Sequence, residues 1–303
     1  MSQNHPPLIV LGTVNLDHSV TVERHPRPGE TVLGDSHASG TGGKGANQAV
    51  AAAQAGVDVV LLSAVGDDSA GEELLVDLRR RGVDTSHIAH IPGLSSGTAF
   101  ITVSRDGENA IVVAPGAGAA ISLDFLTTTL ASLVEPGAIL LTQLELPVPV
   151  VASSCLAAHE AGARIVVNLS PSQEAPESLI GLADPLLVNE SEEESLAGVP
   201  LDTRSDAIKA IHSLASRCRS VVITMGDRGA LAFEDDSLMV LPAQAVRVVD
   251  TTGAGDSFAG ALAAALLQGE SLGNAVEHGI KASAGTVQHR GALPPLQPPP
   301  RSG

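Results

Sequence analysis

Six short apolar runs recur along the chain: Leu8 to Leu11, Val59 to Leu62, Ala138 to Leu141, Ile165 to Val167, Leu186 to Val188 and Val221 to Ile223. Each is too short for a helix and none alternates with polar residues, the pattern of strands buried on both faces of a parallel sheet. Helical patterns lie between them. Ser69 and Glu72 have the spacing of a capping box, Leu74, Leu75 and Leu78 form one stripe, and Gly82 is placed to end that helix. Near the C-terminus Phe258, Ala261, Leu262, Ala265 and Leu266 share one helix face. Strands alternating with helices predict a doubly wound, mostly parallel α/β sheet flanked by helices. No interdomain linker interrupts the 303 residues, so one domain over 1–303 is expected.

Two stretches break the rhythm. Thr98 to Val113 reads as two alternating strands around Asp106-Gly107, a tight-hairpin dipeptide, and Thr31 to Ser39 is a half-polar extended segment. A small second sheet that can act as a lid is expected, with strands drawn from about 14–41 and 95–115. Leu293 to Gly303 holds five prolines in eleven residues and reads as an extended or disordered tail.

Charge narrows the partners. Thirty-four acidic against 17 basic residues give a net charge of −17, which repels a phosphate backbone and an anionic membrane surface. Neither nucleic acid nor membrane is expected as a partner. Leu8 to Leu11 is too short for a signal-peptide core, and no segment reaches the ~18 apolar residues of a membrane span. Cys155 and Cys218 have neither the number nor the spacing of a disulfide framework or zinc site. A cytoplasmic protein is expected. With no Trp or Tyr and only four Phe, ligand recognition has to rely on hydrogen bonds.

Ligands of open α/β sheets gather beyond the carboxyl ends of the strands. In this chain those positions are polar: Asn15 and Asp17 after the first run, Gln143 and Glu145 after the third, Asn168 after the fourth. Asn189, Glu190 and Glu192 follow the fifth, and Thr224, Gly226 and Asp227 the sixth. Any one of them could be a cap or turn residue, but five strand ends doing so together favour a polar crevice. Asp250-Thr251-Thr252-Gly253-Ala254-Gly255-Asp256 runs straight into the C-terminal amphipathic helix, where free N–H groups and the helix dipole make an anion site. Asp256 there is either a helix cap or a general base for a hydroxyl. In the second case the N–H groups of Gly253, Ala254, Gly255 and Asp256 would stabilise a transferring phosphoryl group.

Gly40-Thr41-Gly42-Gly43-Lys44-Gly45-Ala46-Asn47 matches G-x-G-x-x-G formally, yet the segment before it is not a buried strand, and Gly45 replaces the Ser/Thr of a phosphate-binding P-loop. It is either a turn opening a helix or a turn that also brings Lys44 and Asn47 to a ligand. Gly93 to Gly97 fits G-x-S-x-G but enters a strand where a nucleophile elbow requires a helix, which argues against a serine hydrolase. The ten scattered histidines signal no metal site. The run Glu192-Glu193-Glu194 reads as a solvated helix start, with Asn189 and Glu192 alternatively organising Mg²⁺ through water.

Asn15-Leu16-Asp17-His18, Gly42-Gly43-Lys44-Gly45-Ala46-Asn47-Gln48-Ala49, Asn189-Glu190-Ser191-Glu192 and the Asp250 to Asp256 segment occur in an order in which the chain resembles the ribokinase-like sugar kinases, from about Leu8 to Pro294. The resemblance implies an α/β sheet with a small β lid over a sugar, and lids that pair into a homodimer. It implies ATP-dependent phosphorylation of D-ribose at O5, with Asp256 as base. Sugar binding is assigned to Asn15, Asp17, Gly42, Gly43, Lys44, Asn47, Glu145 and Asp256. ATP falls to Asn189, Thr224, Met225, Gly226, Asp227, Arg228, Gly229 and Gly255. Mg²⁺ accompanies ATP, with Glu192 acting indirectly, and an activating K⁺ uses Asp250, Thr252 and carbonyls near Thr286, His289 and Gly291. At the helix beside adenine, Ile280 stands where relatives carry Asn or His, with His278 two residues earlier, and Pro295 replaces a serine at the end of the ion loop. Independently of the resemblance, Asp17 and Glu145 are acceptors suited to sugar hydroxyls, and the lid segment holds a single phenylalanine, Phe100, for stacking a base. A neutral pentose fits best; another sugar, a nucleoside, or a non-catalytic sugar-binding regulator are the alternatives.

Overall fold

The computed structural model describes residues 5–197 and 203–293. The expected tail, apart from Leu293, lies outside the described residues, as does Pro295. From the N-terminus, β1 (Leu8–Leu11) leads into β2 (Asn15–Val22) and β3 (Gly34–Gly42), followed by α1 (Lys44–Gln54), β4 (Val59–Gly66), α2 (Ser69–Arg80), β5 (Val83–Asp84), β6 (Ile88–Ile91), β7 (Gly97–Ser104) and β8 (Asn109–Ala114). The chain continues through α3 (Leu123–Leu133), β9 (Ile139–Thr142), α4 (Val148–Glu160), β10 (Arg164–Asn168), α5 (Glu177–Ile180), β11 (Ala183–Asn189) and α6 (Glu190–Ala197). It ends with α7 (Arg204–Ala215), β12 (Ser220–Thr224), β13 (Ala230–Glu234), β14 (Ser237–Leu241), α8 (Ala254–Leu267) and α9 (Leu272–Thr286).

The six apolar runs are β1, β4, β9, β10, β11 and β12, and they lie side by side in the order β12-β11-β10-β9-β1-β4, all parallel. Antiparallel β13 and β14 extend one edge. Successive residues of a strand point to opposite faces, so Leu8 and Val10 enter one core while Ile9 and Leu11 enter the other. Residues of α1, α2, α8 and α9 fill the first core; residues of α3, α4, α5 and α7 fill the second. This two-sided burial is why the runs carry no polar alternation. The direction of winding reverses between β1 and β9, the kind of place where open α/β sheets bind ligands, and Asn15 and Glu145 follow the carboxyl ends of those two strands.

The second sheet has the order β3-β2-β7-β8. The extended segment begins at Gly34, three residues later than the Thr31 expected from the sequence. At Asp106-Gly107 the turn has three residues, closed by Gly107 N–H to Ser104 O (2.9 Å) and Ser104 N–H to Glu108 O (3.0 Å), with Gly107 at φ 89°. The cap of α2 is Asp68 and not Ser69: its carboxylate accepts from Gly71 N–H at 2.8 Å, and Ser69 is already helical. Asp68 also accepts from Ser96 N–H (2.8 Å) and Ser96 Oγ (2.6 Å), while Ser96 Oγ accepts from Gly66 N–H (3.0 Å). The G-x-S-x-G match is thus a structural staple at the entry to β7.

Helices α1 and α8 cross at very short range. A Cβ at Gly260 would lie 2.4 Å from Gln48 O and 2.7 Å from the Ala51 methyl. Gly260→Val is expected to cost about 1–3 kcal/mol by overpacking, read as a lower urea midpoint at unchanged m-value.

Candidate active site

Strand ends and two helix starts deliver the site. α8 begins after Gly253, which adopts φ 75°, and a Cβ there would meet Ala292 Cα at 2.6 Å, so only glycine fits. Asp256 lies in the first turn, 6 % exposed. The N–H groups of Gly253, Gly255 and Asp256 have no hydrogen-bond partner among the described residues, whereas Ala254 N–H is bound to Thr251 O at 3.2 Å. Ala254 therefore drops out of the expected set of free donors, its amide being consumed by the turn. Both oxygens of Asp256 accept amide hydrogens across the helix crossing: Oδ2 from Asn47 Nδ2 and Oδ1 from Gln48 Nε2, each at 3.0 Å. Asp256 thus does not cap its own helix.

β2 carries Asn15 and Asp17 over the same space. Gly42 and Gly97 make room for them: a Cβ at Gly42 would lie 2.0 Å from Asp17 Oδ2, and one at Gly97 would lie 2.2 Å from Asn15 Oδ1. Gly43, at φ 88°, closes on Thr13 O and Asn15 N, and Lys44 opens α1. Lys44 N–H donates to Glu145 Oε2 at 2.9 Å, and Thr13 Oγ donates to the same oxygen. Asp17 Oδ1 and Asn47 Oδ1 are buried acceptors with no partner. Burial, with Glu145 and Asp256 nearby, pushes the Asp17 carboxyl up to about 7. Burial works against the Lys44 charge, yet Asp256, Glu145 and Glu192 outweigh it and hold the ammonium above the usual lysine range.

A cavity of about 220 Å³ continues from Asp256 and Lys44 past Gly253 and Gly255 to Asn189, Glu192 and Thr224. The acidic run is not the expected solvated helix start: Glu192 is 4 % and Glu193 0 % exposed, and only Glu194 faces water. Folding α6 back onto β11 and β12 turns these two side chains inward. Asn189 N–H donates to Glu192 Oε2 and Glu192 N–H to Asn189 Oδ1, both at 2.9 Å. Burial raises Glu192 above the ordinary glutamate range, a push that hydrogen bonds from Ser170 and Asn189 and the charge of Lys44 only partly offset.

Of the segment after β12, Met225 sends its side chain into the core, Gly226, Asp227 and Arg228 are exposed, and Arg228 pairs with Glu190. Gly229 has φ 91° and no room for a Cβ, which would lie 2.0 Å from Leu241 O. Ile280 packs against the core and His278 is exposed. Beyond the start of α8, Asp250 accepts from Thr252 N–H (2.9 Å), Thr252 Oγ (2.7 Å) and Gly291 N–H (2.8 Å). Burial acts to raise its carboxyl, but these hydrogen bonds, helped by Arg290, hold it below the usual range. Thr286 Oγ donates to Ser257 Oγ at 2.7 Å, and His289 N–H to Thr286 O at 3.1 Å. The expected ion loop is thereby tied together at Asp250, Thr252 and Gly291.

Sequence reasoning passed over Thr13, Gln48 and Ser170. Gln48 could have been found from its place beside Asn47 at the start of an alanine-rich helix.

Asp17 leads to a stability prediction. A folded-state value raised above the unfolded one means that the native protein holds an extra proton between about pH 4 and 7, so this group erodes stability as pH rises through that window. Asp17→Asn should therefore stabilise the ligand-free protein, by about 1–2 kcal/mol more near pH 8 than near pH 5. Equal gains in urea unfolding at both pH values would show that Asp17 titrates normally.

Comparison with known proteins identifies the family. The sequence pattern of the family described as "pfkB family carbohydrate kinase" matches residues 6–298. The chain is 35% identical over 286 residues to a ribokinase of Haemophilus influenzae, covering 94% of this chain and 93% of that one. It is 32% identical to a deoxyribokinase of Salmonella typhimurium, at the same coverage. Among solved structures, Arabidopsis thaliana ribokinase complexed with ribose and ATP superposes with a TM-score of 0.85 at 28% identity, covering 95% of this chain and 94% of that one. Thermotoga maritima ribokinase gives 0.84 at 29% identity, covering 96% and 97%. With the family pattern matched over nearly the whole chain and relatives at 32–35% identity, the chain belongs to the pfkB family of carbohydrate kinases.

Proposed function

We propose that this sugar kinase transfers the γ-phosphoryl group of ATP to O5 of D-ribose, giving D-ribose 5-phosphate and ADP. The observation that carries the reading is the pair of unpartnered acceptors, Asp17 Oδ1 and Asn47 Oδ1, placed around Asp256 at a helix start with free N–H groups. Leaving buried acceptors unpaired costs about 1–3 kcal/mol each, a cost that ligand hydroxyls remove. Asn15, Asp17, Gly42, Gly43, Lys44, Asn47 and Glu145 hold the sugar. Asp256 takes the O5 proton as O5 bonds to the γ-phosphorus and the bond to the ADP oxygen breaks. The N–H groups of Gly253 and Gly255 receive the charge on the transferring group, and Lys44 adds a positive charge beside it.

Thr224, Met225, Gly226, Asp227, Arg228, Gly229 and Asn189 border the nucleotide, with Met225 contributing only backbone. Mg²⁺, when bound with ATP, neutralises phosphate charge. The residues present fit it: no three His, Cys, Asp or Glu side chains converge on a direct centre among the described residues, while Glu192 and Asn189 offer oxygens to its water shell. An activating K⁺ would be held by Asp250, Thr252 and carbonyls near Thr286, His289 and Gly291 and would supply positive charge near the N-terminus of α8; the hydrogen bonds that tie Asp250 to Thr252 and Gly291 support this reading.

The second sheet is the lid, and its exposed Phe100, Ile111, Val112 and Val113 suit pairing with the lid of a second copy. Phe100 stacks on His18, on the sheet face opposite Asp17, and is not placed to stack a nucleobase at the site. No helix among the described residues is long and apolar enough to cross a membrane; together with the free cysteines this supports a cytoplasmic setting. The deoxyribokinase relative makes 2-deoxyribose the second candidate acceptor.

The test is ADP formation with Mg-ATP and D-ribose, 2-deoxyribose, fructose, fructose 6-phosphate or adenosine, with and without K⁺. Ribose-dependent turnover stimulated by K⁺ is expected; preference for another acceptor overturns the sugar assignment, and sugar binding without turnover overturns the kinase chemistry. Asp256→Asn should lower kcat by about 10²–10⁴-fold with a smaller change in sugar affinity, and unchanged turnover would remove Asp256 as the base. Asp17→Ala should mainly raise the sugar KM, and an unaltered KM would take Asp17 out of the sugar site.

A further inference from the structure

Behind Asp256 lies a chain of side-chain amides that never reaches the ligand space. Gln48 is 0 % and Gln143 1 % exposed. Gln143 Nε2 donates to Gln48 Oε1 at 2.6 Å, and Gln48 Nε2 donates to Asp256 Oδ1 at 3.0 Å. The polarity of this chain is determined end to end. An amide has one acceptor end and one donor end, so once Gln48 Oε1 accepts from Gln143, its Nε2 must face the carboxylate. Gln143 is wedged in turn by backbone: a Cβ at Gly12 would lie 2.1 Å from Gln143 Oε1 and 2.7 Å from Gly45 Cα. The carbonyl end of Gln143 is buried without a partner, an orientation with a standing cost that is retained while its N–H end serves Gln48.

We propose that Gln48 and Gln143 are positioning residues for the reaction, acting through Asp256: Gln143 holds Gln48 in the one orientation that donates to Asp256, and this donation aims the carboxylate. The inference rests on the reading of Asp256 as base. A donor on each carboxylate oxygen fixes the plane of the group. Asn47 supplies one, but it also faces the sugar; Gln48 supplies the other and has no second task.

The test compares wild type, Gln48→Met, Gln143→Met and Asp256→Asn in the full chain, using sugar-dependent ADP formation. Methionine preserves length and volume and removes the amide. Gln48→Met should lower kcat about 10- to 100-fold with less than about threefold change in sugar KM. Gln143→Met should lower kcat by less, and the double variant should fall no further than Gln48→Met, because both act through one hydrogen bond. A purely structural role predicts lower thermal stability with kcat of the folded enzyme unchanged, and that result overturns the proposal. If Gln48→Met does not fold, Gln143→Met decides alone by the same split of kcat from KM. Full activity of Asp256→Asn would instead sink the reading of the base, separately from this inference.

Discussion

The close crossing of α1 on α8 is the constraint on which the site depends. Two helices normally pack with axes about 8–10 Å apart; here Gly260 on one and alanines on the other remove the side chains that would hold them apart. At that distance the first turn of α1 reaches the first turn of α8. Asn47 and Gln48 can then donate to both oxygens of Asp256 from the next helix without a long side chain crossing open space. Lys44, one turn earlier, arrives on the same side. The burial energy of the helix pair thus supports a carboxylate that would otherwise be costly to leave among other carboxylates.

The central sheet was legible because burial on both faces leaves an unmistakable trace: Leu8 to Leu11 and its five counterparts could be strands before any pairing was known. The polar strand ends marked the crevice for the same reason, since Asp17, Glu145 and Asn189 follow such runs directly. What escaped was decided by tertiary contact. Asp68 displaced Ser69 as the cap of α2 because Ser96, 28 residues away, gave its carboxylate further partners. Glu192 and Glu193 looked solvated by composition and were turned inward by the packing of α6. Ala254 sat in a run of plausible donors, and only the turn to Thr251 shows that its amide is already used. Gln48 stood beside Asn47, but its role becomes plain only when the facing helix brings a carboxylate to it.

Chemistry and recognition share one stretch of backbone. Between Leu8 and Gln54 the chain supplies a central strand, two strands of the second sheet with Asn15 and Asp17, and then the helix with Lys44, Asn47 and Gln48. Two acceptors of this stretch, Asp17 Oδ1 and Asn47 Oδ1, are buried without a partner, while the side-chain amide N–H groups of Asn47 and Gln48 donate to Asp256.

The way the second sheet is attached determines how it can move. A single residue, Gly43, joins β3 to α1, and three residues join β1 to β2. Ser96, pinned by Asp68, stands directly before β7, and Thr41 is bonded to Asp77 of α2 at 2.7 Å. The sheet is therefore clamped along one edge like a cantilever, with its fulcrum at Gly42, Gly43 and Gly97. Any rotation of the sheet about that edge would displace Asn15 and Asp17 least and the far ends of the strands, at Val22 and Ser104, most. A load applied at that free end, by anything resting on the exposed strand β8, acts with the longest lever arm over the acceptor site.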